Sequence, residues 1–415
     1  MAMDLRQIVA ALLTLSMFLM LANMIKRDHF DSLQINLPVT SSVENDVIKV
    51  TERSLAKLPV VSKSPWKEDL EAAPKPCWSK PEISKIGQQS KGFITFSLTG
   101  GPECHASQIA DGVAVARYLG ATLVLPNIVA MGSKPRVRRY LGDIYDVEKI
   151  LNTLDDIVRV TKYQPNEPNK GKLIRVPSRV SGNYIEQNIA PVFRKRGSSR
   201  LEIYCPSAQM IDEEKTKHLD SFACLTMFGT LQLQPELQQV VESVVNRLRN
   251  FSQKTNGKFV AVDLQKGCLG SAQGARKMCY HAEEVGKFLK KIGFDRDTTI
   301  YLTQSQWSSS LDSLGEFFPN TYTKESMLSA DKKTKFLNSE ISDMEKVIDF
   351  YICSQSDVFV PATFGLFYST VAGMRIASGR NQILVPSQIM TSSVATEYVS
   401  PYISEKNHLA YSCCC

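Results

Sequence analysis

The sequence predicts an α/β protein made of two Rossmann-like domains that face a cleft, with an N-terminal transmembrane anchor and a stem before them. Short apolar segments alternate with amphipathic ones from residue 91 onward, a pattern typical of parallel sheets covered by helices. The alternation falls into two sets that meet near residue 255, and each set is long enough for one domain. A separate uncharged run at residues 8–25 predicts the anchor.

The N-terminal run, IVAALLTLSMFLMLANMI, is flanked by Arg6 and by Lys26 and Arg27. Its length just reaches what a helix needs to cross a bilayer. A cleaved signal peptide is the competing interpretation, but such a peptide has a shorter apolar core and a small-residue cleavage site, which is not evident here. We therefore expect a cytosolic tail at 1–7, a retained signal anchor at 8–25 and a luminal body, as in a type II membrane protein.

Composition limits the possible classes of function. Of the 415 residues, 43% are hydrophobic and 22% are charged, which is enough apolar material for a sizeable core. The net charge of +7 is mild and the basic residues are not clustered on one element, so a nucleic-acid partner is excluded. Residues 26–90 have no sustained periodicity, and their recurring prolines and charges predict an extended stem.

The elements of the two domains follow in order. The first domain is predicted at 91–255, the second at 256–400 and a C-terminal tail at 401–415. Strands are predicted at 91–99, 121–127, 171–177, 201–206, 258–264, 298–304, 357–363 and 381–386. Amphipathic helices are predicted at 234–253 and 281–294.

Three of these strands end in polar or glycine-rich residues. The first end is Gly100 and Gly101, after the strand at 91–99. The second is Asp263, in the strand at 258–264, which follows the expected hinge between the domains near residue 255. The third is Thr363 to Gly365, after the strand at 357–363. Ligands of parallel sheets bind beyond the carboxyl ends of the strands. The sequence therefore places its candidate binding residues at these three points.

The first of these points carries Glu103 and His105 on the helix that follows Gly101. Glycine allows the backbone to approach a ligand closely, and the free N–H groups of a helix start attract an anion. A tight connection between strand and helix explains the glycines equally well. His105 is a candidate base or hydrogen-bond donor, and a helix cap is the alternative.

The third point repeats this design in the segment SDVFVPATFGLFYSTVAG. Thr363 and the amides around Gly365 are candidate ligands for phosphate oxygens, Phe364 for stacking on a base, and Arg375 for pairing with a negative charge. Core packing is the alternative for this segment.

Other motifs weigh against rival chemistries. Asp295 to Asp297 read Asp-Arg-Asp, a pattern that binds a divalent metal in some glycosyltransferases. Here it precedes its strand instead of following it, so we interpret it as a turn. The basic run at 134–139 is interpreted as a solvated loop, with phosphate contact as the alternative. The chain has no G-x-S-x-G and no P-loop, which excludes serine hydrolases and P-loop NTPases.

Cysteine usage and one sequon agree with a luminal address. The ten cysteines include no CxxC pair and no zinc spacing. Cys268 and Cys279 are a candidate disulfide, with buried free thiols as the alternative. Asn250 begins the tripeptide Asn-Phe-Ser and is the predicted site of N-glycosylation.

Three segments together resemble a known family. They are GFITFSLTGGPECHASQIADGVAVARYLGATLVLPN (92–127), KVIDFYICSQSDVFVPATFGLFYSTVAG (346–373) and SPYISEKNHLAYSCCC (400–415). They resemble the plant branch of the protein O-fucosyltransferase superfamily, and within it the mannan-synthesis-related proteins. The resemblance implies a GT-B fold, a Golgi type II membrane protein and an inverting transferase that needs no metal. It also implies a nucleotide-sugar donor, such as a GDP-sugar, in the cleft between the domains.

The resemblance also implies roles for single residues. Where the superfamily has His-Leu-Arg at the hinge strand, with the arginine expected at the leaving diphosphate, this chain has Asp263, Leu264 and Gln265. Lys266 follows as a partial substitute for that charge, and Glu103 stands where the family usually has asparagine. The expected catalytic residues are Asp263, Glu103 and His105. The expected donor-binding residues are Gly100, Gly101, Gln265, Lys266, Asp357, Thr363, Phe364, Gly365 and Arg375.

These expectations combine into one principal prediction and two alternatives. The chain is predicted to be a Golgi glycosyltransferase of mannan or other cell-wall polysaccharide synthesis, acting on a nucleotide sugar and a glycan acceptor, with Asp263 or Glu103 as general base. One alternative is a non-catalytic, GT-B-shaped partner of a mannan synthase, which the missing arginine at Gln265 motivates. The other is a protein O-fucosyltransferase, which Glu103 and Asp263 disfavour.

Overall fold

The structure is a computed structural model that describes residues 65–66, 89–129, 138–162, 173–206, 221–264, 279–337, 342–386 and 398–413. The predicted anchor at 8–25, most of the stem, and the candidate residues Gln265 and Lys266 lie outside these ranges. Within them, no helix combines the length and the apolar composition that crossing a membrane requires.

The described strands are short and mostly parallel. They are β1 (Phe93–Thr95), β2 (Ser97–Leu98), β3 (Thr122–Val124), β4 (Asn127–Val129), β5 (Arg138–Arg139), β6 (Val160–Thr161), β7 (Leu173–Val176), β8 (Ser198–Ile203), β9 (Phe259–Asp263), β10 (Thr299–Leu302), β11 (Thr321–Tyr322) and β12 (Val358–Pro361).

Helices separate most of these strands. They are α1 (Pro102–Leu119), α2 (Val147–Leu154), α3 (Gly182–Tyr184), α4 (Ala190–Arg196), α5 (Ser221–Cys224), α6 (Pro235–Phe251), α7 (Ala282–Lys291), α8 (Asp312–Phe317), α9 (Lys324–Met327), α10 (Ala330–Phe336), α11 (Ser342–Gln355), α12 (Leu366–Ala377) and α13 (Pro401–Ser404). Short 3-10 or π-helical turns occur at 141–143, 185–189, 225–229, 253–255, 309–311 and 409–413.

Two parallel sheets form the framework, as the sequence predicts. The first has the strand order β6-β3-β1-β8-β7 and the second β11-β10-β9-β12, and every pairing in both is parallel. A small third sheet, β2-β4-β5, contains one antiparallel pair. The α/β class with two parallel sheets is therefore confirmed.

Strand β9 shows how the second sheet is buried on both faces. Its alternate residues Val260 and Val262 belong to one apolar cluster, together with Val285 and Leu289 of α7. Phe259 and Ala261 point to the opposite face and join a larger cluster that extends into the first sheet. All five residues of β9 are buried, so its near-continuous apolar sequence follows from burial on both faces.

The predicted strands and helices differ from the observed ones mainly at their ends. The predicted strand at 91–99 is divided into β1 and β2, which belong to different sheets. The segment predicted as a strand at 381–386 forms only isolated bridges, Ile383 with Phe359 and Leu384 with Val399. The predicted helices at 234–253 and 281–294 correspond to α6 and α7. The domain boundary near residue 255 stays a prediction, because residues 62–415 form one compact unit.

Disulfides join segments that are far apart in the sequence. Cys104 in α1 pairs with Cys205 after β8, and Cys224 in α5 pairs with Cys413 at the end of the described chain. Cys279 is disulfide-bonded as well, but Cys268, its predicted partner, lies outside the described residues. Cys353 is a buried free thiol. The two disulfides that hold α1 and the C-terminal segment were not predicted from the sequence.

Candidate active site

A cavity of about 530 Å³ lies at the carboxyl ends of the strands of the second sheet. Asp263 at the end of β9, Thr303 after β10 and Thr363 after β12 reach it from three neighbouring strands. Glu103, from the first turn of α1, reaches it from the half of the chain that carries the first sheet. The two halves therefore share one cavity, and two of the three strand ends that the sequence analysis singled out line it directly.

Asp263 is the most perturbed carboxyl group in this cavity. It is 4% exposed, and burial raises its pKa to about 7 from the ordinary value of 3.8. Thr303 Oγ1 donates a hydrogen bond of 3.0 Å to Asp263 Oδ1, which opposes the shift without cancelling it. Asp263 Oδ2 has no hydrogen-bond partner within the described part of the protein. A carboxyl group with a pKa near neutrality and one unused oxygen is suited to proton transfer.

Asp349 in α11 lines the same cavity, but its oxygens are occupied. Lys324 Nζ donates to Asp349 Oδ2 at 2.6 Å, and the Tyr301 hydroxyl donates to Asp349 Oδ1 at 2.7 Å. Burial raises the pKa of Asp349 to about 6 despite the neighbouring ammonium group. This buried ion pair supports one wall of the cavity. The ammonium group of Lys324 is engaged in the pair with Asp349.

Glu103 and Lys346 face each other across the mouth of the cavity. Lys346 Nζ in α11 lies 3.8 Å from Glu103 Oε1 in α1, so the pair joins the two halves of the chain. Glu103 Oε2 is buried and has no partner within the described residues. The Thr370 hydroxyl in α12 also donates to the Glu103 carbonyl oxygen at 3.2 Å. Glu103 is therefore anchored to both α11 and α12.

The start of helix α12 opens onto the cavity. Thr363, Gly365 and the first helical residues line it, and a Cβ atom added to Gly365 would meet no atom within 4 Å. The first N–H groups of a helix have no partners inside the helix and attract anions. Thr363 and Gly365 therefore line the cavity at the start of a 12-residue helix, and their expected contact with the donor stays a prediction.

The glycines at the start of α1 serve close packing. Gly100 has a φ of 82°, and a Cβ atom there would lie 2.6 Å from Cys104 Sγ. A Cβ atom on Gly101 would collide with the carboxyl group of Glu103. Neither glycine lines the cavity. Their place in the structure is the turn that brings Glu103 to the cavity, and the expected donor contact of the glycines themselves stays a prediction.

Two expected donor-binding residues are placed where they stabilise the fold instead. The guanidinium group of Arg375 is fully buried and donates to the carbonyl oxygens of Cys353, Ser356, Asp357 and Gln382. Asp357 lies at the amino end of β12, and its Oδ2 accepts a 3.0 Å hydrogen bond from the Phe259 amide. Neither side chain lines the cavity. The expectation that Arg375 and Asp357 bind the nucleotide-sugar donor is therefore corrected, because neither side chain reaches the cavity.

His105 and Phe364 also point away from the cavity. His105 is completely buried, its Nδ1 lies 2.9 Å from the Tyr145 hydroxyl, and burial lowers its pKa to about 3. A histidine that stays neutral and out of contact with the cavity is not placed to act as the base. Phe364 packs edge-on against Tyr280 and Tyr368, as an aromatic core residue does.

The Asp-Arg-Asp motif and the sequon lie away from the cavity, and residues 134–137 of the basic run lie outside the described residues. Asp295 and Asp297 lie in the turn before β10, where Asp297 pairs with Lys254 at 2.8 Å, so the interpretation as a turn is confirmed. No group of three metal-ligating side chains occurs among the described residues. Independence from metal stays a prediction. Asn250 is exposed near the end of α6.

Comparison with known proteins identifies the family. The family described as "GDP-fucose protein O-fucosyltransferase" matches residues 93–377. The chain belongs to this O-fucosyltransferase family. It is 49% identical to Protein MANNAN SYNTHESIS-RELATED of Trigonella foenum-graecum and 46% identical to Protein MANNAN SYNTHESIS-RELATED 2 of Arabidopsis thaliana, in each case over 100% of both chains. A crystal structure of POFUT1 in its apo form aligns with a TM-score of 0.43 at 12% identity, covering 72% of this chain and 99% of that one.

Membership of the O-fucosyltransferase family agrees with the motifs quoted from the sequence, but the cavity contains residues that those motifs did not reveal. Thr303, Gln304 and Ser305 follow β10, and Gln304 Oε1 is buried without a partner within the described residues. A signal for them existed, since they form a polar end to a predicted apolar strand. Lys346 had no such signal, because it is an isolated lysine on a helix.

Proposed function

We propose that this chain is a glycosyltransferase that moves a sugar from a GDP-sugar to a glycan acceptor during the synthesis of mannan in the cell wall. The observation that carries the proposal is Asp263, whose pKa of about 7 and unpartnered Oδ2 make it a base at the edge of a cavity shared by two parallel sheets. We assign the two sheets to the GT-B arrangement, in which the donor lies between them.

The proposed reaction is a single displacement with inversion. The acceptor hydroxyl gives its proton to Asp263 Oδ2 as its oxygen forms a bond to the anomeric carbon of the donor sugar. The bond between that carbon and the β-phosphate oxygen breaks, and GDP leaves with the electron pair. Thr303 holds the Asp263 carboxyl group in place through its 3.0 Å hydrogen bond, so the unused oxygen stays directed at the acceptor.

The diphosphate of the donor is placed at the start of α12. The amides from Gly365 onward and the Thr363 hydroxyl supply hydrogen-bond donors to phosphate oxygens without a metal ion. The choice of GDP rests on the family description, which names GDP-fucose as the donor of the family. Gln304 adds an unpartnered oxygen to the cavity, which is suited to a donor N–H or sugar hydroxyl group.

The biological setting rests on the relatives and on the anchor. The names of two full-length relatives connect them with mannan synthesis, and we extend that role to this chain. The uncharged run at 8–25 supports a type II protein of the Golgi membrane with its body in the lumen. We also propose a mannan synthase as the partner of this chain at the membrane, because the two proteins would act on the same glycan.

Donor binding and transfer by the purified full-length chain test the proposal. We expect GDP to bind in the presence of EDTA, and we expect one of GDP-fucose, GDP-mannose or GDP-glucose to be consumed when manno-oligosaccharides are added, with UDP-glucose inert. GDP binding without turnover of any donor would favour the non-catalytic partner of a mannan synthase. Absence of both binding and turnover would refute the glycosyltransferase proposal. Transfer to a folded protein instead of a glycan would favour a protein O-fucosyltransferase.

Asn250 provides a test of the luminal orientation. Its side chain is exposed on α6, so it is accessible to glycosylation once the chain is in the lumen. Expression in cells with a secretory pathway should give a chain that loses one glycan on treatment with an endoglycosidase. The Asn250→Gln variant should migrate at the deglycosylated position without treatment. A native chain that carries no glycan at Asn250 would contradict the predicted orientation.

A further inference from the structure

The cavity has an uneven charge inventory. Among the described residues that line it, three carry carboxyl groups and one carries an amine: Glu103, Asp263, Asp349 and Lys346. The Asp349 charge is matched by Lys324, which is buried behind the wall and cannot turn toward a ligand. An anionic diphosphate therefore meets one cation in the described lining, and that cation is Lys346.

The position of Lys346 leaves its ammonium group accessible to a ligand in the cavity. It lies one turn before Asp349 on α11, with 43% of its side chain exposed. Its ammonium nitrogen is 3.8 Å from Glu103 Oε1, which is within the range of an ion pair but too long for a hydrogen bond. No hydrogen bond within the described part of the chain uses this ammonium group. Its three N–H donors are therefore available while Glu103 holds it over the cavity.

The surrounding geometry identifies the chemical class of the ligand. The start of α12 forms another part of the same lining, so backbone amides and the Lys346 ammonium group meet around one space. Two side chains in that lining, Asp263 and Gln304, are more than nine-tenths buried, and each has one oxygen without a partner among the residues that the structure describes. Amides and an ammonium group bind phosphate, and the unpartnered oxygens bind hydroxyl or N–H groups. A nucleoside diphosphate sugar carries both kinds of group.

We infer that Lys346 binds the diphosphate of the donor and of the GDP product. This inference rests on the proposed function, since it assigns a further residue to the same site. The alternative interpretation is a structural ion pair, in which Lys346 only links α11 to Glu103 in α1. The two interpretations differ in one measurable respect: a binding residue responds to the phosphates of the ligand, and a linking residue does not.

Binding of GDP and of guanosine to the full-length chain separates these interpretations. Isothermal titration is carried out on the native chain, Lys346→Met, Lys346→Arg and the matched control Lys335→Met. Lys335 is also a half-exposed lysine in an ion pair, but it pairs with Glu236 away from the cavity. Each titration is repeated at low and at high salt.

We expect Lys346→Met to weaken GDP binding roughly tenfold, since a partly exposed charge-assisted contact is removed. Guanosine binding should change by less than about twofold, because guanosine has no phosphate. Lys346→Arg should restore most of the GDP affinity, and the salt dependence of GDP binding should be smaller in Lys346→Met than in the native chain. Lys335→Met should match the native chain.

Two results would overturn the inference. GDP affinity that is unchanged in Lys346→Met, while the native chain binds GDP, would show that the phosphates are bound without Lys346. Equal losses for GDP and guanosine would show that Lys346 acts only through the packing of α1 and α11. Failure of the native chain to bind either ligand would refute the proposed function itself and is distinguishable from both of these results.

Discussion

Replacing Asp263 with asparagine should abolish most of the transferase activity while leaving donor binding intact. The Thr303 hydroxyl can donate to an amide oxygen as it does to the carboxyl group, so the side chain keeps its position. The amide cannot take up a proton, and loss of a general base typically costs about 10²- to 10⁴-fold in rate. We expect a fall of that size in kcat for sugar transfer, with the Kd for GDP changed by less than about twofold.

Glu103→Gln is the appropriate comparison, because the sequence left Asp263 and Glu103 as equal candidates for the base. Glu103 is engaged with Lys346 and lies at the wall between the halves, so its loss should affect binding more than turnover. A Glu103→Gln variant with the larger loss in kcat would transfer the role of base to Glu103. An Asp263→Asn variant with native kcat would remove Asp263 from the mechanism.

The pH dependence of activity and of stability, measured for the native chain and for Asp263→Asn, gives an independent check on the role of Asp263. The proposed mechanism requires ionised Asp263, so the rate should rise with pH and level off above the pKa of about 7. Stability should change in the opposite direction, since the folded pKa lies above the ordinary value of 3.8. Between pH 4 and pH 7 the folded chain keeps a proton that the unfolded chain releases, so ionisation of Asp263 lowers the free energy of unfolding as pH rises. Thermal unfolding at pH 8 should therefore show Asp263→Asn to be more stable than the native chain, and the difference should disappear near pH 4.

The periodicity of the sequence was sufficient for the fold class but not for the limits of the strands. The segment at 258–264, which is apolar except for Lys258 and Asp263, indicated a buried strand of a parallel sheet, and β9 is such a strand. The segment at 381–386 also contains an apolar run, at residues 383–386, yet it forms only isolated bridges. Composition reports burial, and burial alone does not decide whether a segment pairs regularly with its neighbours.

The candidate site was predictable where it follows from strand topology. Asp263 and Thr363 line the cavity because the carboxyl ends of parallel neighbours lie at one edge of a sheet. His105 and Arg375 could not be placed in this way, because they lie on helices and the direction of a helical side chain depends on packing partners elsewhere in the chain. The same reason explains why Lys346 was missed.

Replacing Arg375 with methionine should destabilise the whole fold. Its guanidinium group donates to four backbone carbonyl oxygens, which belong to the end of α11, the start of β12 and the segment after α12. Because the N–H groups of an arginine lie in one plane and point in several directions, one guanidinium group can bond to all three chain segments at once. Methionine fills a similar volume but removes the guanidinium donors from the carbonyl groups of Ser356 and Asp357, whereas Cys353 O keeps the Ser356 hydroxyl and Gln382 O keeps the Phe359 amide. Since each unsatisfied group costs about 1–3 kcal/mol, we expect the free energy of unfolding to fall by about 4 kcal/mol.

Arg249 provides the matched control, because it also lies in the last turn of a long helix but is exposed. Urea unfolding of Arg249→Met should agree with the native chain to within about 0.5 kcal/mol. Arg375→Lys should recover only part of the loss, since an ammonium group cannot reach all four carbonyl oxygens with fixed geometry. An Arg375→Met chain with native stability and weakened GDP binding would restore Arg375 as a donor-binding residue. An Arg375→Met chain that loses stability as expected would show that Arg375, in the last turn of α12, acts by fixing the helix against the neighbouring segments.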